Sequence, residues 1–150
     1  MKKAIVFIFL ISLTILLTSQ FCLSIDVPLP ENIKIIPPSS EVPKEIAAFS
    51  GTWEGNWEGK LDAKLIVEEI NSNQAKIIYS RGDAAPGWNV KKGYERVSAK
   101  VTHGKRPQIA WGDGINNPKF IFMMNKDLQS LAGSRKFKGR DDKVQMRKIK

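Results

Sequence analysis

The side chains that ordinarily carry catalysis are thinly supplied in this sequence. His103 is the only histidine, and Cys22, the only cysteine, lies in an N-terminal segment expected to be cleaved, so the mature chain is expected to offer neither an imidazole–thiolate metal site nor a Cys–His nucleophilic pair. No serine stands in a G-x-S-x-G turn. Glu54 and Glu58 are spaced like paired carboxylates, but a solvated strand face gives a general acid no perturbing environment. Asp113, Asn116 and Asn117 offer oxygens between Gly112 and Pro118, at a spacing unlike that of a calcium loop. The expectation is a protein that binds rather than transforms, with no cofactor and no metal.

The aromatic residues offer more. Trp57, Tyr79, Trp111 and Phe122 fall on the same parity of successive apolar runs. Rings of that parity can line a pocket for a small apolar or aromatic ligand, with Trp88 as a gate from a neighbouring loop. The same rings can also simply fill a narrow interior. Arg81-Gly82-Asp83 spells an adhesion tripeptide in what reads as the longest loop, Arg81 to Gly93, where ordinary turn chemistry explains it better.

Positioning such rings requires strands. From Phe49 onward, apolar residues recur with period two in short runs separated by Gly, Asn, Asp and Pro, the pattern of half-buried antiparallel strands. Phe49, Gly51, Trp53, Gly55 and Trp57 share one face, and Leu61, Ala63, Leu65 and Val67 form the next. The later runs are Ala75–Ile77–Tyr79, Val97–Ala99–Val101, Ile109–Trp111, Phe120–Phe122–Met124, Leu131–Gly133–Arg135–Phe137 and Val144–Met146. Turns are expected at Asn71–Asn73, His103–Gly104, Asp113–Gly114, Lys126–Asp127 and Gly139 to Asp142. No segment of this body looks helical. About eight strands joined by short connections predict an all-β fold, an antiparallel up-and-down β-barrel that removes its own edges. A two-sheet sandwich is the other arrangement the runs allow.

Three regions divide the chain. Residues 1–24 carry two lysines, an apolar run from Ala4 to Leu17 and a polar end at Ser24, the layout of an export signal. The run is short for a spanning helix, which needs roughly 20 apolar residues. The protein is therefore expected to be exported, extracellular or periplasmic after cleavage, with retention of the segment as an anchor as the other outcome. Residues 25–45 hold Pro28, Pro30, Pro37, Pro38 and Pro43 and read as a proline-rich extended arm. Residues 46–150 form the barrel domain.

The chain has 24 Lys and Arg against 15 Asp and Glu, and the surplus lies beyond residue 70. Lys76, Lys91, Lys92, Arg96, Lys100, Lys105 and Arg106, then Lys136, Lys138, Arg140, Lys143, Arg147, Lys148 and Lys150, make basic faces. Such faces draw a protein to anionic surfaces, an envelope polymer or a membrane, by an attraction that salt weakens. Export, together with the lack of an RNA-binding or helix-in-groove motif, argues against nucleic acid.

Gly51-Thr52-Trp53 at the start of the first run, with Arg135 on the inward parity of the penultimate one, resembles the signature of the calycin superfamily of lipocalins, fatty-acid-binding proteins and avidins. Phe49-Ser50-Gly51-Thr52-Trp53-Glu54-Gly55 is similar to the opening of small lipocalin-like modules of bacterial secreted proteins. The resemblance implies a lipocalin-like barrel closed at one end by Arg135 packing across the Trp53 ring, a cation–π contact. It implies no particular ligand, because the polar residues by which avidins hold biotin have no counterpart here.

Overall fold

The computed structural model describes residues 25–149. The expected export signal, with Cys22, and Lys150 lie outside the described residues. The remainder folds as one short helical turn, α1 (Lys44–Ala47), followed by eight strands: β1 (Gly51–Trp57), β2 (Leu61–Ile70), β3 (Gln74–Ala84), β4 (Gly93–Thr102), β5 (Gln108–Trp111), β6 (Lys119–Met124), β7 (Ser130–Phe137) and β8 (Arg140–Lys148). Each strand pairs antiparallel with the next, and β8 returns to β1 through Trp53↔Lys148, Glu54↔Arg147 and Gly55↔Met146. The result is a closed up-and-down barrel, which excludes the two-sheet sandwich and is compatible with a calycin-like fold.

Alternation puts the expected rows inside. Trp53, Trp57, Leu65, Ile77, Tyr79, Ile109, Phe122 and Leu131 are all buried. A register shift between Val67 and Glu69 lets β2 keep both Val67 and Ile70 in the core, a change of phase that strict period two forbids. β3 is longer than expected. It continues through Arg81↔Gly93, so Arg81-Gly82-Asp83 is strand rather than a displayed loop. The pairing wins because Gly82 is also covered from outside, where a Cβ would meet the Asp26 carbonyl oxygen and Val27 at 3.5 Å.

That cover is the proline-rich arm. Ile66 and Ile78 point outward by parity, yet both are buried. The arm accounts for this: the Ser80 hydroxyl donates to the Pro28 carbonyl, and Ile36 N–H donates to the Glu68 carbonyl at 2.7 Å. Arg96 spans the arm and the barrel, donating to Asn32 O at 3.2 Å and pairing with Glu68 at 2.8 Å. The prolines keep the arm extended, so it lies along the sheet without adding a strand.

One end of the barrel is plugged. α1 delivers Ile46, and Phe49 follows it into the core beside Trp53. The Trp53 indole N–H donates to Phe49 O at 2.8 Å. The cation over its ring is Lys148, whose Nζ lies 5.1 Å from the ring centroid and donates to Ala48 O at 2.8 Å.

The expected Trp53–Arg135 pair is not formed, and the register gives the reason. Trp53 stands opposite Lys148 and Arg135 opposite Asp142. Those two β8 positions are six residues apart, about 20 Å at ~3.3 Å per residue. Parity put Arg135 correctly on the inner face but at the wrong end of the cylinder.

Candidate functional site

The other end, bounded by the β3–β4 and β5–β6 loops, is open. A cavity of about 740 Å³ enters the barrel there, lined among others by Tyr79, Trp111, Phe120, Arg81, Glu95 and Arg135. That volume lies within the range of small-molecule sites.

Its apolar wall is a single aromatic cluster. Trp111 stacks on Phe120 at 4.8 Å between ring centroids and on Phe122 at 5.6 Å. Tyr79 tilts against Phe120 at 4.9 Å and against Trp111 at 5.6 Å. Beneath them Trp57 meets Phe120 and Phe122 edge-on at 6.1 and 6.0 Å. These are the offset and T-shaped arrangements that ring quadrupoles favour. An inward glycine makes space for one of these rings: a Cβ on Gly133 would stand 2.5 Å from a Phe122 ring carbon.

Of the five residues expected to bind ligand, Tyr79 and Trp111 line the cavity. Trp57 and Phe122 form the floor behind the lining rings and are fully buried. Trp88 is not a free gate: it is 5% exposed and held beneath two guanidiniums, Arg140 at 5.1 Å and Arg135 at 5.7 Å from its ring. Most of the other lining residues, Arg135 and Glu95 among them, are outside the expected ligand-binding set. Phe120 and Arg81 each lie two residues from a predicted contact, Phe122 and Tyr79, and the same parity places them inside.

The polar part of the wall is cationic. Arg135 Nη1 donates to Asp142 Oδ2 at 2.8 Å, and Arg140 donates to the other oxygen of the same carboxylate at 3.0 Å. Arg81 donates to Lys91 O at 3.0 Å and to Glu95 at 3.2 Å. Burial pushes the Tyr79 phenol well above its ordinary value; the nearby Trp57 side chain and the Arg81 and Arg135 charges pull the other way. The Trp57 indole lies near that phenol without reaching hydrogen-bond geometry. The buried N–H groups of Trp57, Trp88 and Trp111 have no acceptor among the described residues.

The carboxylate pair considered from spacing is not assembled. Glu54 faces outward but is buried against Arg147 at 2.7 Å. Glu58 sits in the β1–β2 turn, where it accepts from Lys143 N–H at 3.2 Å. His103 bonds Ser72 O at 2.6 Å near the plugged end. Asp113 Oδ1 accepts the N–H groups of Ile115, Asn116 and Asn117 at 2.8, 3.0 and 3.0 Å, so its oxygen serves the turn. Comparison of the chain with protein-family models, with curated proteins and with solved structures finds no match.

Proposed function

We propose that this protein is an exported, non-catalytic carrier or sensor of a small aromatic or apolar molecule, held in the open end of a lipocalin-like barrel. The observation that carries the reading is the cavity of about 740 Å³ walled by Tyr79, Trp111 and Phe120. Stacked rings offer a ligand dispersion and apolar burial at ~25 cal/mol per Å² while losing little entropy themselves. The plugged end makes the opposite mouth the entrance. The test is fluorescence titration with N-phenyl-1-naphthylamine, a neutral probe. Saturable one-to-one binding that is insensitive to salt and lost in Trp111→Ala supports the reading; failure to saturate opposes it.

A second reading places the function on the outside. Lys91, Lys100, Lys105, Lys119 and Lys126 make no ion pair among the described residues, so their charge is available to an anionic envelope polymer or membrane. Salt-sensitive retention on anionic liposomes, unaffected by Trp111→Ala, supports this alternative.

A further inference from the structure

We infer that the ligand of this cavity is an anion, an aromatic body carrying a carboxylate or similar acid group, and that Arg135 is the residue that receives it. The inference rests on the proposed aromatic binding site and adds the chemical class of its occupant.

Charge is the first support. The charged residues lining the cavity are Arg81, Lys91 and Arg135 against Glu95 alone. Glu95 is already engaged by Arg81 at 3.2 Å. Behind Arg135, Asp142 is shared between two guanidiniums, Arg135 at 2.8 Å and Arg140 at 3.0 Å. Its single negative charge offsets only one of them. The wall itself therefore carries a surplus of positive charge, three cations to one carboxylate, beside stacked rings, and an apolar ligand without charge would leave that surplus unanswered.

Geometry is the second. Arg135 is 9% exposed, and its residual surface belongs to the cavity wall. One nitrogen, Nη1, is committed to Asp142. The guanidinium is also fixed in place by the Trp88 and Phe137 rings, at 5.7 and 6.0 Å. A planar guanidinium with N–H groups to spare, oriented in advance by aromatic packing, is suited to forked recognition of a carboxylate. Phe120, the register partner of Arg135 on β6, stacks with Trp111 at 4.8 Å. The anion anchor and the aromatic wall thus stand on directly paired positions of neighbouring strands.

The test compares 2-naphthoate with its neutral isostere methyl 2-naphthoate by calorimetric titration of the full chain, alongside N-phenyl-1-naphthylamine. The inference predicts that the wild-type protein binds the acid about tenfold or more tightly than the ester. It also predicts that Arg135→Gln removes this preference and that Arg135→Lys restores part of it. Equal or weaker binding of the acid by the wild-type protein overturns the inference without any variant, so a misfolded Arg135→Gln does not rescue it. If the neutral probe binds and the preference is absent, the aromatic site stands and only the anion assignment falls. If none of the three compounds binds, both fall.

Discussion

Lys148 holds its ammonium 5.1 Å from the centre of the Trp53 ring, so the last strand reaches back to seal the end that the first strand opens. The contact joins residues far apart in the chain, and beside it Ile149 N–H donates to Thr52 O at 2.9 Å. Replacing Lys148 by Met removes the cation–π contact and the bond to Ala48, with an expected loss of about 1 kcal/mol in urea unfolding. Burial holds the Lys148 ammonium below its ordinary value of 10.5. Between that lowered value and 10.5 the unfolded chain binds more protons than the folded one, so this group makes stability rise with pH across the window. Lys148→Met should flatten that segment of the stability profile, and an unchanged profile would speak against the burial described.

The barrel's inner glycines are expected to reject even one methyl group. Gly55→Ala drives a Cβ into the Gln145 carbonyl and to 2.9 Å from Met146 Cγ. Because backbone of a paired strand cannot yield, the cost should be about 1–3 kcal/mol. Gly133→Ala meets the Phe122 ring and Val144 at 2.5 Å. It should displace that ring within the aromatic cluster, visible as altered near-ultraviolet circular dichroism. Wild-type stability in both variants would show the interior to be looser than described.

The arm is expected to stabilise the barrel by covering its outer face. Removing residues 25–42 exposes Ile66 and Ile78, which are 1% and 0% accessible in the intact chain. The expected loss is roughly 2–4 kcal/mol, with increased self-association by light scattering. An unchanged melting temperature and a monodisperse truncated protein would contradict this role.

Asp113 organises the lip of the mouth. Backbone N–H bonds, first from Asn117 and then from Ile115, hold its carboxyl below the ordinary value of 3.8. Because the folded value is the lower one, the turn is secured above pH 3.8 and loses that support as acid protonates the group. Amide resonances of Ile115, Asn116 and Asn117 should shift together in an acid titration, and in Asp113→Ala they should be displaced already at neutral pH. Titration of those amides at the ordinary carboxylate value would remove the claim.

Period two made the fold legible, since Trp57, Tyr79, Trp111 and Phe122 do gather in one cluster. Parity names the face of a strand but not the height along it. Height depends on register, which bulges and strand lengths fix, and so parity alone places Arg135 at the wrong end and leaves Arg81 in a loop. Neither the burial of outward Ile66 and Ile78 nor the pinning of Trp88 had a local signature. Both follow from contacts between segments far apart in the chain, through the arm and through β7 and β8.

Amide chemical-shift mapping during titration with N-phenyl-1-naphthylamine decides whether ligand enters the open end of the barrel. Saturable shifts are expected to concentrate at Tyr79–Arg81, Trp111 and Phe120, with the Trp53–Lys148 end unmoved. Shifts confined to the outer basic positions Lys100, Lys105 and Arg106, or no saturable shift at all, would contradict entry there.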